Sequence, residues 1–155
     1  MFWQKKFKNI SDYGDDWQIL EGRLTDRPIF TRCRTGLIDA IGHPKYPFQI
    51  GVAVPLFNPT SDGLPTNAEA QELHKIEDEL VKVLEERHEA IHTNTITYNS
   101  MREFVFYASE WKPEYFEQKV KRIQVDSSLS KGHQLQFMMQ PDKEWKTFRE
   151  HSVVA

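Results

Sequence analysis

From Trp17 the chain alternates apolar and polar positions in "WQILEGRL", breaks at "TDRP" and resumes in "PIFTRCR", a pattern that predicts a β-hairpin over 17–34. "TGLIDAIGHPKYP" then reads as a turn-rich connection with one short helical turn at Leu37 to Ala40. In "FQIGVAV", Phe48, Ile50, Val52 and Val54 share one face, with Gly51 and Ala53 on the other, which predicts a well-buried strand. Pro55, Pro59, Gly63 and Pro65 keep the next stretch irregular. Thr66 and Glu69 stand at capping-box spacing, and Leu73, Ile76, Leu80, Val83 and Leu84 recur every three or four positions, so a long amphipathic helix follows.

"IHTNTITY" alternates as a strand, Asn99-Ser100 supplies a two-residue turn, and "REFVFYAS" returns beside it. Pro113 suits the first turn of a second helix, whose stripe is Phe116, Val120 and Ile123. "SSLSKGH" is predicted to be a loop, "QLQFMMQ" a last strand stopped by Pro141, and Asp142 the cap of a short terminal helix holding Trp145 and Phe148. This order predicts a single α+β domain over 1–155. Its parts are an arm at 1–16, the hairpin at 17–34, a ferredoxin-like βαββαβ core at 48–140, and a short C-terminal helix with its tail at 141–155. In that plan both helices cover one face of an antiparallel sheet.

In "REFVFYAS", Arg102, Phe104 and Phe106 point one way while Val105 and Tyr107 point the other, so both faces of this strand carry large apolar groups. The helices cover one. The other needs the terminal segments, a ligand or a second subunit, and a homodimer through the helix-free face is an expectation.

A chain of 155 residues can bury a sizeable core, and no apolar run reaches the ~20 residues of a membrane span. The first residues lack the apolar stretch of a secretory signal; Phe2, Trp3, Phe7 and Ile10 read as an arm docked on the fold. A lone cysteine, Cys33, excludes an internal disulfide and suits a reducing compartment, so cytoplasm is expected. The net charge of −3, with no long block of one sign, argues against nucleic acid as a partner, and the composition argues against membrane. Charge is nonetheless polarised, with eight acidic residues from Glu69 to Glu89 and a basic excess from Lys112 to Arg122. Across adjacent helices these would attract at their rims.

Arg102 is the residue with most claim to chemistry, because a guanidinium fork suits a carboxylate or phosphate. The plainer reading pairs it with a neighbouring carboxylate or lays it over a ring. Tyr107, with Trp111 and Trp145 as rim aromatics, completes the candidate binding surface, core packing being the plainer reading of both tryptophans. Gly63, Thr66 and Asn67 at the start of the long helix could hold an anion on backbone amides, although no Walker or dinucleotide fingerprint is present. His74 with Glu77 or Asp78 offers two ligands where zinc wants three or four, and a break in structure separates His88 from His92. Cys33 lies between Arg32 and Arg34, but in a strand its side chain points away from theirs. With no nucleophile beside a base, no catalytic residue, metal or cofactor is assigned.

The blocks "DDWQILEG", "RPIFTRCRTGL", "YPFQIGVAVPL", "DGLP", "IEDEL", "MREFVFYAS" and "QPDKEW", taken in order, resemble the bacterial domain-of-unknown-function family 695 over Trp17 to Phe148. The resemblance carries no activity and no site residue. Some longer relatives join the domain to one similar to the regulator of ribonuclease E activity, type B, which implies a regulatory, protein-binding role. Ser100 departs from the Asn-Gly turn common in relatives, which implies a different turn type here.

The sequence thus reads as an uncharacterised domain working as a noncatalytic binding or regulatory module for a protein partner or small ligand. The alternatives are a small hydrolase or transferase built from Arg102, Tyr107, His74 and the loop before the long helix, and an RNA-binding module working through the sheet face.

Overall fold

A computed structural model describes residues 6–152. One six-stranded sheet runs through the molecule in the order β1-β2-β4-β5-β3-β6, and every neighbouring pair is antiparallel. The strands are β1 (Gln18–Leu24), β2 (Arg27–Cys33), β3 (Phe48–Pro55), β4 (Ala90–Tyr98), β5 (Met101–Ala108) and β6 (Gln136–Pro141). Helices α1 (Asn67–Leu84) and α2 (Pro113–Val125) follow β3 and β5; α3 (Ser127–Ser130) and α4 (Lys146–Ser152) flank β6. The architecture is therefore α+β with an open antiparallel sheet. Among the described residues no helix is long and apolar enough to cross a membrane.

One core lies under the long helices, where the predicted stripe of Leu73, Ile76, Leu80 and Leu84 on α1 and that of Phe116, Val120 and Ile123 on α2 meet Ile50, Val52, Val54, Phe104 and Phe106. The alternation in β3 and β5 thus gives the helix face just as the side-chain period of two requires. The opposite face has its own core. There Cys33, Ile91, Ile96, Val105 and Tyr107 lie under Ile10 of the N-terminal arm, Leu37 and Ala40 of the 3-10 segment Thr35–Ala40, Tyr46 of the loop after it, Trp145 just before α4 and Phe148 in α4. The chain's own segments therefore cover the apolar area that motivated a second subunit there. Ile10 is buried and the Phe7 ring lies 5.1 Å from His43, so this part of the arm is docked. Phe2 and Trp3 lie outside the described residues.

Local chemistry explains most element boundaries. Thr66 Oγ1 accepts from the Glu69 amide at 3.2 Å, which is one half of the expected capping box. The Glu69 carboxylate does not return to the cap; it is buried and accepts from the amides of Phe57 and Asn58, tying the preceding loop to α1. Asp142 accepts from the amides of Lys146 and Thr147 and so caps α4. "SSLS" differs from the predicted loop, forming the helical turn α3 because Asp126 accepts from the Ser128 amide. The rim attraction expected between the long helices is made by Lys119, which approaches Glu86 and Glu89 just beyond α1 and donates to the Val83 carbonyl.

Both two-residue hairpin turns use left-handed backbone without glycine, at Thr25 (φ 53°) and Asp26 (φ 62°), and at Asn99 (φ 50°) and Ser100 (φ 68°). Two successive positive φ values define a type I′ turn, so Ser100 keeps that type. Gly63 holds it in place. Its carbonyl accepts from the Ser100 amide at 2.9 Å, and its own φ of +78° and the 2.9 Å a Cβ would leave to Ser100 N require glycine there.

A candidate anion-binding cleft beside the first helix

The hairpin β1–β2 extends the sheet past the reach of α1, leaving the helix-side face of β1, β2 and β4 as the floor of a groove. Register sets that floor: Ile19 lies opposite Arg32 and Arg32 opposite Thr95, while Phe30 lies opposite Thr97 and Thr97 opposite Arg102. A β-bulge between His92 and Asn94 shifts the phase of β4, so His92, Thr95 and Thr97 all face the helix side. The core stripe of α1 points down onto β3 and β5; its next flank, with His74, Glu77, Asp78 and Val81, forms the groove wall.

The inner half is a recess of about 320 Å³ in which both arginines are paired with carboxylates. Arg32 bonds Glu77 at 2.7 Å and lies 4.4 Å from the Trp17 ring. Thr95 donates its hydroxyl proton to Glu77 at 2.9 Å, which leaves its oxygen to accept from His92 Nε2 at 2.9 Å. Arg34 sits between Asp15 at 3.1 Å and Glu85 at 3.8 Å, and Glu85 also accepts from the His92 amide. Burial pushes the His92 ring down to about 4, so it is neutral at neutral pH. Burial alone would raise the Glu77 carboxyl, but His92, Arg32 and Thr95 outweigh it and hold Glu77 below its ordinary value. Each arginine of this half thus has a carboxylate within 4 Å, although Arg34 Nε makes no hydrogen bond.

The outer half is a cleft of about 230 Å³ lined by Ile19, Phe30, Arg32, His74, Thr95, Thr97 and Arg102. Arg102 Nε donates to Thr97 Oγ1 at 2.8 Å, which fixes the plane of the guanidinium across the β4–β5 pair. Among the described residues no carboxylate pairs with Arg102 and no aromatic ring lies over it. Burial lowers its pKa from the ordinary value, with the more distant Glu77 opposing. A partly desolvated guanidinium on the lining of an open cleft offers N–H donors to an anion.

The structure brings Arg102 and His74 together in this cleft and separates the other sequence candidates from it. Tyr107 is on the opposite face, fully buried, donating to Asp142 at 2.7 Å and accepting from the Phe148 amide at 3.2 Å. Trp145 is fully buried, stacks on Tyr107 at 4.5 Å and donates to the Tyr46 carbonyl, so it belongs to the core and not to a rim. Trp111 is half-exposed beside Phe48, at a different end of the sheet. Gly63 is packed against the β4–β5 turn, Thr66 is engaged with Glu69 and Asn67 is exposed, so the start of α1 presents a buried carboxylate to its nearest loop amides. Phe104 and Phe106, the rings of the RNA reading, lie beneath the helices. Cys33 points away from Arg32 and Arg34 into the opposite core, where burial pushes its thiol up to about 11.

Arg32, Arg34, Glu77, Glu85 and Trp17 are the groove residues that sequence reasoning did not assemble. Part of the signal was present, since Arg32 and Arg34 share a strand face opposite to Cys33. Glu77, the partner of Arg32, is 45 positions away on a helix flank whose orientation the periodicity does not give, and Arg34 draws on Asp15 and on Glu85 at the end of that helix.

The family described as Family of unknown function (DUF695) matches residues 15–151, from Asp15 on the groove's inner rim to His151 in α4. The chain belongs to this family. The match takes in every groove residue named above. No curated protein and no solved structure matches the chain.

Proposed function

We propose that this member of the family is a noncatalytic binding module whose outer cleft takes a carboxylate on Arg102. The carrying observation is the half-buried guanidinium of Arg102, oriented by Thr97 and left without a carboxylate, in a groove where Arg32 and Arg34 each have one. Burying an unpaired charge costs several kcal/mol unless something compensates it, and a ligand anion would. Ile19 and Phe30 beside it suit an apolar neighbour of that carboxylate. At about 230 Å³ the cleft falls below the ~300–1,000 Å³ of sites for drug-sized molecules, so its occupant is a small acid or one acidic side chain of a partner. A planar carboxylate matches the fork of a single Arg better than a phosphate, which wants further donors.

The same reading takes the four strands from β3 to β6 with α1 and α2 as a ferredoxin-like unit, supported by the spatial order β6-β3-β5-β4. It puts the protein in a reducing cytoplasm, supported by a single buried thiol. Self-association is assigned to the hairpin edge, as argued below, and not to the helix-free face.

The test is an NMR titration of the full chain with acetate, phenylacetate and phenylacetamide. Shifts confined to Thr97, Arg102 and the β1–β2 floor, larger for phenylacetate than acetate and absent for the neutral amide and for Arg102→Met, support the reading. Equal shifts in Arg102→Met, or none at saturating acid, overturn it.

A further inference from the structure

Strand β1 is an open sheet edge whose two charges, Glu21 and Arg23, are of opposite sign. β1 itself holds no proline and pairs with β2 without a bulge, and among the described residues no strand pairs with its outer side. Ile19 is 66% exposed and Leu24 49%. The two-residue turn makes Leu24 and Arg27 a hydrogen-bonded pair, so the backbone groups of Leu24, Gly22 and Leu20 point inward to β2. Those of Ile19, Glu21 and Arg23 then point outward, unpaired.

We infer that β1 pairs antiparallel with β1 of a second copy about a twofold axis at Gly22, joining two sheets edge to edge. The sequence of the edge selects that register. With the axis at Gly22, the outward-pointing residues meet as Glu21 opposite Arg23 of the second copy, and the reverse pair forms symmetrically. Both are side by side on the cleft face, where opposite charges stabilise a cross-strand pair. On the other face Leu20 meets Leu24 of the second copy, covering the exposed Leu24. An axis at Glu21 keeps the backbone phase but sets the two Glu21 carboxylates against each other. Arg23 already donates one N–H to the Asp26 carbonyl at 2.7 Å, which holds its guanidinium along the edge with donors to spare.

The other sheet edge, β6, lacks this self-complementarity. It carries no charged residue and ends in Pro141, so it offers neither a registering pair nor a clean ladder. The interface is isologous and therefore closes at two copies. Glu21 lies opposite Phe30, so the added strand continues the floor of the cleft beyond its outer wall. This inference stands independently of what the cleft binds.

The experiment is sedimentation velocity of the full chain over about a hundredfold concentration range, with charge reversals at the edge. The mass is expected to rise from 18.3 kDa toward a dimer. Glu21→Arg and Arg23→Glu, checked by circular dichroism as folded, should each weaken association by about tenfold or more, because each creates two like-charge pairs. Mixing the two single variants restores Arg–Glu pairing in a heterodimer, and the double reversal restores it within one chain. A chain that stays monomeric throughout overturns the inference and leaves the edge to a foreign strand. A dimer indifferent to the single reversals, or one that neither the mixture nor the double variant recovers, overturns it as well.

Discussion

Arg102 Nε donates to the Thr97 hydroxyl 2.8 Å away, so the two residues facing each other across the β4–β5 hairpin hold a half-buried guanidinium still on the lining of the cleft. A scaffold arginine would have a carboxylate or a ring at that point, and Arg32, on the adjacent strand row, has both.

Replacing Arg102 with Met keeps the apolar length of the side chain and removes the desolvated charge. The expected result is unchanged or increased stability, by up to roughly 2 kcal/mol, with loss of carboxylate binding. Urea unfolding with an unchanged slope would measure it. A loss of stability would assign the residue to the scaffold.

The Cys33 thiol, fully buried in the helix-free core and pushed up to about 11, should resist aromatic disulfide reagents at pH 8 and react at once in denaturant. The Arg32 and Arg34 guanidiniums that flank it in sequence face the other side of the sheet, so they give it no thiolate character. Rapid labelling of the native chain would contradict this placement.

Stability should fall as pH drops from 6.5, the ordinary value for His, toward about 4, where folded His92 titrates. In that window the unfolded chain binds a proton at His92 and the folded chain does not, so acid favours unfolding; above 6.5 the contribution is complete. The depression corresponds to a loss on the order of 3 kcal/mol across the window. The surrounding groups are Glu77, Arg32, Arg34 and Thr95, and Glu85, raised by burial, works in the opposite sense above its ordinary value. His92→Gln should flatten the wild-type slope between pH 6.5 and 4 in urea midpoints.

Those three sites show where sequence reading succeeds. Period-two alternation oriented Cys33 away from its arginine neighbours and set Phe104 and Phe106 on one face, because a strand side chain has only two directions to take, but it left open which face the helices cover. Helical spacing likewise picked out Leu73, Ile76 and Leu80 as the α1 core stripe. The alternation of β4 was read without its bulge, and that one extra residue sets the groove phase of His92. The groove itself depends on Arg32 meeting Glu77 across 45 positions, and on the hairpin joining the sheet beside β4 instead of β6. Neither is encoded in a local period. The cover over Tyr107 was a need visible in the strand, but its donors, Trp145 and Phe148, are set by tertiary packing alone.

Ser100 holds a left-handed φ of 68° without the freedom of glycine, and its amide and carbonyl both serve the loop, bonding the Gly63 carbonyl and the Leu56 amide at 2.9 Å each. Ser100→Gly should keep those backbone bonds and remove the Cβ strain of roughly 1–2 kcal/mol, partly offset by the extra freedom of glycine in the unfolded chain. A net gain of about 0.5–1 kcal/mol is expected in urea unfolding. Gly63→Ala should move the other way by more than about 1 kcal/mol, since its own φ is +78° and the new methyl would lie 2.9 Å from Ser100 N. The pair separates two causes. If the turn strain at position 100 is relieved elsewhere, Ser100→Gly will give no gain while Gly63→Ala still destabilises, and the contact between loop and turn, not the turn type, will be what fixes the register that aligns Thr97 with Arg102.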